Sequence, residues 1–168
     1  MKKKLDPVRD RNGKKVLELE NYLTYYLVVI ANRVSRGASA LYREKFGVGV
    51  VEWRCMVMLA MQDGVSAARI SEVGGINKSM VSRSLARLEE LGYVEDYRGS
   101  STLKPRLMQF TRSGRKLYRD MLEVTIKRDE KLRDGLSEAE LQELLRLLKK
   151  LFNNADELDQ TKYHVNIY

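Results

Sequence analysis

The sequence predicts a mainly α-helical fold with a small β-hairpin wing, a winged helix-turn-helix flanked by long N- and C-terminal helices. Three observations support this fold class. Apolar residues recur at helical spacing near both ends of the chain. Two shorter helical patterns in the middle are separated by Gly74-Gly75. Two strand-like segments around a polar loop follow them.

The N-terminal part divides into a basic arm and a long helix. Residues 1–16 carry many lysines and arginines around Pro7 and Gly13, so we expect a flexible arm. It is either an extra DNA contact, a subunit-embracing extension or a solvated tail. A helix is predicted over residues 17–46, closed by Gly47, within an N-terminal segment of residues 17–50. Its apolar positions are Leu19, Leu23, Leu27, Ile30, Val34 and Leu41.

Residues 51–112 are predicted to form the winged helix-turn-helix. A short helix over 66–73 begins at Ser66, and Gly74-Gly75-Ile76 forms a tight connection to the next helix. That second helix, residues 77–91, begins at the N-cap Asn77 and ends before Gly92. Residues 93–97 and 106–111 are strand-like, and the loop between them makes a basic tip.

The helix over 77–91 has two different faces. At about 100° per residue, the apolar side collects Val81, Leu85 and Leu88. The opposite side is small, polar and cationic, with Ser79, Ser82, Arg83, Ala86 and Arg87. Short side chains allow a close approach to a polyanion, and arginine reaches phosphate or the guanine edge.

The C-terminal segment, residues 113–155, is predicted to contain two more amphipathic helices. The first covers residues 113–134, and the second begins at the N-cap Ser137 and carries Leu141, Leu144, Leu145, Leu148 and Leu151. With the N-terminal helix they expose more apolar surface than the central domain covers, which favours burial against a second copy. The alternative is an intramolecular bundle. Residues 156–168 are a polar and aromatic tail.

Composition narrows the possible partners and the compartment. The 168 residues carry a formal net charge of +8, which favours nucleic acid or an anionic membrane surface. The longest apolar run, residues 22–31, is about half of the ~20 residues that span a bilayer. A single cysteine, Cys55, in an apolar run predicts a buried structural thiol and a reducing compartment. We therefore expect a cytoplasmic protein.

The sequence offers no pattern for catalysis. Its one histidine, His164, lies in the C-terminal tail, and Cys55 has no histidine in a plausible catalytic context. The motifs for nucleotide phosphates, serine nucleophiles and zinc ligands are missing from the sequence. We expect a protein that is not an enzyme and that uses no cofactor and no metal.

Four stretches together resemble the MarR (multiple antibiotic resistance regulator) family of transcription factors. They read Val-Glu-Trp-Arg from Val51, Ile-Asn-Lys-Ser-Met-Val-Ser-Arg from Ile76, Arg-Leu-Glu-Glu-Leu-Gly-Tyr-Val from Arg87 and Phe-Thr-Arg-Ser-Gly-Arg from Phe110. The resemblance covers roughly residues 19–152 in the family's element order. It implies a homodimer, joined through the N- and C-terminal helices, that binds a pseudo-palindromic site on double-stranded DNA.

The resemblance also implies which residues bind DNA. Lys78 would contact phosphate, Arg83 a base edge and Arg87 the backbone, while the wing would reach the flanking minor groove. The predicted set is Asn77, Lys78, Ser79, Ser82, Arg83, Arg87, Arg98, Lys104 and Arg106. The alternative for these side chains is an ordinary solvated surface.

Regulation by a small molecule is a further implication of the family. Members commonly release DNA when an anionic or aromatic molecule enters the cleft beside the dimer helices, and repression is their commoner mode. The candidate lining residues are Tyr25, Tyr26, Arg33, Arg36, Trp53, Arg54, Met58 and Met61. Core or interface packing is the alternative for each of them.

Two departures from the family pattern favour a competing function. The wing lacks the usual Asp two residues before its Arg, so an acidic partner for Arg106 is expected to be missing. Gly74 stands where the family has an apolar residue, and we expect it to loosen the turn. The competing hypothesis is an interaction or dimerisation module that has lost specific DNA binding.

Overall fold

The computed structural model describes residues 6–97 and 105–160, the side chains of 156–160 excepted. The chain divides into two compact units, Met1–Leu122 and Glu123–Tyr168. Among its described residues the first contains five strands, two of them in an N-terminal hairpin, a 3-10 turn and four complete α-helices, and the second contains the C-terminal helix. One helix runs across the boundary between them.

The chain begins with a β-hairpin where the sequence predicted a flexible arm. Strands β1 (Val8–Arg11) and β2 (Lys14–Leu17) pair antiparallel. Between them Asn12 and Gly13 both have positive φ, 56° and 77°, as a two-residue hairpin turn requires. The flexible-arm prediction was wrong for these residues, because the charge of the segment was weighed and its Asn-Gly turn signal was not.

The long N-terminal helix, α1 (Leu23–Phe46), starts later than the predicted residue 17. A 3-10 turn, Leu19–Asn21, precedes it, and the extended backbone of Tyr22 separates the two. The helix ends as predicted, since Gly47 takes the left-handed conformation at φ 71°. Only its C-terminal half contributes to the core, through Ala38 and Tyr42.

The central domain is a winged helix-turn-helix, as the sequence predicted. Its helices are α2 (Val50–Met61), α3 (Ala67–Gly74) and α4 (Lys78–Glu90). Its sheet contains β3 (Val65–Ser66), β4 (Val94–Asp96) and β5 (Leu107–Phe110) in the order β3-β5-β4, all antiparallel. Sequence analysis missed β3, which is too short to show an alternating pattern.

The core of this domain lies between the three helices and the sheet. Its fully buried side chains come from all three helices, from β4 and from the C-terminal part of the chain, and include Met56, Leu59, Ile70, Val81, Leu88, Val94 and Met121. An aromatic cluster closes one side, where Trp53 stacks on Tyr118 at 5.4 Å and meets Tyr42 edge-on at 6.0 Å between ring centroids. This packing holds α2, which carries Trp53, against α1 and against the helix that carries Tyr118.

Two C-terminal helices follow. Helix α5 (Arg112–Leu132) begins at the wing, and α6 (Glu138–Gln160) begins at the predicted cap, where Ser137 and Glu140 bond to each other's backbone N–H groups. Helix α6 continues past the predicted start of the tail at residue 156, because the stretch after Ala155 lacks Gly and Pro. Across the described chain, no helix combines the length and apolar character that crossing a membrane needs.

Candidate nucleic-acid interface

Helix α4 is built so that one face packs and the other is free. The Asn77 side-chain oxygen accepts hydrogen bonds from the backbone N–H of Ser79 at 2.9 Å and from its hydroxyl at 2.6 Å, which caps the helix. Val81, Leu85 and Leu88 are buried, as the spacing predicted. The exposed side chains up to Arg87 are Lys78, Ser79, Met80, Ser82, Arg83, Ala86 and Arg87, and Glu90 is exposed at the end of the helix. The resulting surface is cationic and sterically open.

The turn before α4 is tied on two sides. The Arg54 guanidinium donates a hydrogen bond to the Gly74 carbonyl, and the Ser71 hydroxyl donates one to the Ile76 carbonyl at 2.7 Å. Gly74 is the last residue of α3, and Gly75 takes the left-handed conformation that ends it. The structure therefore gives no sign of the loosening expected at Gly74, because side chains bind the carbonyls on both sides of the turn.

A buried polar contact fixes the other side of α4. The Ser84 hydroxyl, on the packed face, donates a hydrogen bond to one carboxylate oxygen of Glu52 at 3.1 Å. The second carboxylate oxygen accepts the backbone N–H of Gly49 at 3.0 Å, at the start of α2. Glu52 thus links the first turn of α2 to the middle of α4. Sequence reasoning missed it, since the partners lie 32 residues apart.

A cavity of about 320 Å³ opens beside α4. The start of α2, the last turns of α1 and one flank of α4 border it, and it is open to solvent. Its lining residues are Ser39, Arg43, Val50, Val51, Glu52, Met80, Arg83, Ser84 and Arg87. Arg87 is held at this wall by a hydrogen bond that it donates to the Gly47 carbonyl at 3.2 Å.

The wing base corrects one sequence-based expectation. Arg106 was expected to lack an acidic partner, but its guanidinium bonds both carboxylate oxygens of Glu89, at 2.6 and 3.1 Å, and that of Asp96 at 3.1 Å. The hydrogen bonds to Glu89, and to a smaller extent the one to Asp96, raise the pKa of Arg106 above its usual value. The expectation was wrong because it considered only acidic residues inside the wing loop, whereas Glu89 lies on α4 and Asp96 on β4. Arg98 and Lys104 lie outside the described residues.

The predicted effector residues occupy several different environments. Tyr25 and Tyr26 meet edge-on at 5.4 Å in the exposed first turn of α1, and Arg33 and Arg36 are exposed further along it. Trp53 belongs to the aromatic cluster and Arg54 is engaged by Gly74. Met58 is half-buried and Met61 is exposed. The cavity beside α4 is lined by none of the eight.

The lone cysteine is the buried thiol that its sequence context predicted. Cys55 is fully inaccessible in the core of α2. Burial first, and then the charge of Glu52, raise the pKa of its thiol to about 12. Because the thiolate is the reactive form, this side chain is chemically quiet at neutral pH.

The fold and this surface define a winged helix-turn-helix protein with a cationic recognition helix, the architecture of transcription regulators. The model of the MarR family matches residues 46–100. A MarR/EmrR family transcriptional regulator from Acinetobacter sp. ADP1 has a solved structure with 32% identity and a TM-score of 0.74, covering 83% of this chain and 98% of its own. The chain belongs to the MarR family of transcriptional regulators.

Two further relatives extend the comparison. The HTH-type transcriptional repressor IacR of Pseudomonas putida is 26% identical over 91% of this chain and 88% of its own. The MarR family protein Rv2887 of Mycobacterium tuberculosis, 24% identical over 77% of this chain, has been solved with DNA and with salicylic acid. The two structures have TM-scores of 0.60 and 0.62, and this chain covers 97% and 96% of them. At this identity Rv2887 shows a shared fold.

Proposed function

We propose that the protein is a homodimeric repressor that binds a pseudo-palindromic duplex through α4 and leaves it when a small aromatic or anionic ligand binds. The observation that supports this most directly is the exposed face of α4. From Lys78 to Arg87 it carries three cationic side chains and no carboxylate before Glu89. Such a face suits a polyanion at close range.

The proposed roles follow from position on the helix. Lys78 lies in the first turn, at the positive end of the helix dipole, where its ammonium group meets a phosphate. Arg83 stands in the middle of the exposed face and is the side chain that reaches a base edge. The small side chains of Ser79, Ser82 and Ala86 let the helix backbone lie deep in the major groove.

A homodimer is supported by the apolar surface of the terminal helices. Helix α1 exposes Leu23, Leu27, Val28 and Ile30, each between about two-fifths and half of its area, and α6 exposes Leu144, Leu145 and Phe152. Monomers rarely leave such helix faces uncovered. In a two-fold dimer the α4 helices would enter major grooves about 34 Å apart, which makes the target a pseudo-palindrome.

Repression and its relief rest on the relatives and on the chemistry of α1 and α2. IacR is a repressor by name, and Rv2887 has been solved with salicylic acid, a carboxylated ring. The effector residues of this chain remain a prediction, in which the exposed pair Tyr25 and Tyr26 and the exposed Arg33, further along α1, have the chemistry that suits such a ring. The proposal places the protein in the cytoplasm and gives it no catalytic step.

The test is fluorescence-anisotropy binding to the duplex upstream of the protein's own coding region, with a scrambled duplex of equal length as control. We expect a preference of about 10³-fold or more, and an affinity that falls steeply as salt rises. If both duplexes bind weakly and equally, selection from a random-sequence pool decides. Failure of that pool to enrich any sequence would favour the interaction module without specific DNA binding.

A further inference from the structure

The cavity beside α4 has the composition of an anion site. Three arginines, Arg43, Arg83 and Arg87, line it against a single glutamate, Glu52. Both carboxylate oxygens of Glu52 already accept hydrogen bonds from within the protein, at Ser84 and Gly49. An oxyanion in the cavity would therefore meet guanidinium donors, while the carboxylate faces its own partners.

The arginines approach this cavity from two elements. Arg87 comes from α4 and is oriented by its hydrogen bond to the Gly47 carbonyl, which leaves its other N–H groups for a ligand. Arg43 comes from the last turn of α1 and lines the cavity beside Gly49, where its Nε is 3.4 Å, and the Glu52 Oε2 is 2.8 Å, from the position that a Cβ on Gly49 would take. No ion pair holds Arg43 or Arg87 among the residues that the structure describes.

We infer that this cavity binds a phosphate group of the DNA backbone, held between Arg43 and Arg87. The inference rests on the proposed function and follows from its geometry. A helix lying in the major groove has a phosphate strand along each side, and the cavity runs along one flank of α4. The last turn of α1 thereby becomes part of the DNA-binding surface, a contact that no motif in the sequence indicated.

The first arm of the test compares Arg43→Ala with Lys45→Ala on a random-sequence duplex. Lys45 is an exposed cation in the same last turn of α1 but does not line the cavity, so it controls for the loss of one charge. We expect Arg43→Ala to lower affinity about tenfold and to make the salt dependence shallower by about one phosphate contact, with Lys45→Ala close to the wild type. Thermal melting verifies that both variants fold.

The second arm separates DNA phosphate from a free phosphate. Inorganic pyrophosphate is titrated into the DNA-free proteins at constant ionic strength, and the melting temperature is followed. If the melting temperature of the wild type rises and that of Arg43→Ala does not, the cavity is an oxyanion site. If that result comes with an unchanged DNA salt slope in Arg43→Ala, the site takes free phosphate and the DNA assignment is overturned.

The remaining outcomes are equally distinct. Equal salt slopes for wild type, Arg43→Ala and Lys45→Ala, with no pyrophosphate effect, overturn the site altogether. An equal loss in both variants attributes the effect to general charge and overturns the role of the cavity. A wild type that binds no duplex but shows an Arg43-dependent pyrophosphate shift contradicts the proposed function and the DNA assignment, and retains only the oxyanion site.

Discussion

Two arginines that the sequence assigned to DNA binding, Arg83 and Arg106, are engaged very differently. Arg83 projects from the exposed face of α4 and makes no ion pair within the described parts of the chain. Arg106, at the base of the wing, is bound to the carboxylates of Glu89 and Asp96 although its side chain is half exposed. The first is available to an outside partner, whereas the second is occupied with holding the wing to α4.

The difference follows from the position of acids along α4. The helix carries none until its last turn, so the cations before that point have no local carboxylate to bind. Glu89 lies at the end of the helix, beside the wing, and there it competes with any phosphate for Arg106. Whether a basic side chain of this protein is available to DNA or is bound within the protein thus depends on the carboxylates within its reach.

The largest effect is expected from Arg83→Ala. Loss of a base-edge contact should cost about 1–3 kcal/mol of specific binding and relax the preference at one position of each half-site. Because Arg83 supports no described contact, the free energy of unfolding should change by less than about 0.5 kcal/mol. Anisotropy on matched specific and single-mismatch duplexes, with thermal melting alongside, measures both.

Lys78→Ala is the matched comparison for Arg83→Ala, since it removes a neighbouring cation proposed to contact phosphate. It should lower the affinity for specific and random duplexes alike. The dependence of affinity on salt concentration should become shallower by about one phosphate contact. Identical behaviour of the two variants on both duplexes would show that the division between base reading and phosphate binding is wrong.

Asn77 gives the next largest effect and tests whether a predicted DNA contact is mainly a cap. Asn77→Ala removes the acceptor for the Ser79 N–H and should cost about 1 kcal/mol of stability, a fall in Tm of about 2–4 °C. Asn77→Asp retains the cap, so its Tm should stay near that of the wild type. The added charge should weaken every duplex about fivefold, near 1 kcal/mol for a like-charge contact in water.

If Asn77 is mainly a cap, Asn77→Ala lowers the melting temperature, whereas Asn77→Asp keeps the melting temperature and lowers DNA affinity. If Asn77→Asp melts as early as Asn77→Ala, the stability lost in the alanine variant does not come from the cap. An aspartate that binds DNA as tightly as the wild type would place residue 77 away from the phosphates. The first result would remove the structural role of Asn77, and the second would move Asn77 out of the surface proposed for DNA.

Local signals in the sequence were enough for the recognition helix and its neighbours. Asn77, Ser66 and Ser137 were recognised as caps, and Gly47 as a helix end, because each acts on backbone groups within a few residues. The buried and exposed faces of α4 followed from helical spacing alone. The hairpin at the N-terminus was also local, and its Asn-Gly turn was the signal that could have found it.

The contacts that spacing could not predict join residues far apart in the chain. Arg54 binds Gly74 across 20 residues, Arg87 binds Gly47 across 40, and Arg106 reaches Glu89 across 17. Each depends on how elements pack, and many long polar side chains could have served as the partner. The cavity lined by Arg43 is of the same kind, since its walls come from three helices.

The smallest effect is expected from Arg106→Ala, and it sharpens the contrast with Arg83. Half-exposed ion pairs are screened by water, so the free energy of unfolding should fall by at most about 1 kcal/mol, or a few degrees in Tm. The fall should be smaller in high salt. A double-mutant cycle with Glu89→Gln should return a favourable coupling, whereas Arg83 with Glu89→Gln should return none. If Arg106→Ala leaves Tm unchanged yet lowers specific DNA affinity as much as Arg83→Ala, Arg106 reads DNA, and its carboxylates give way to phosphate in the complex.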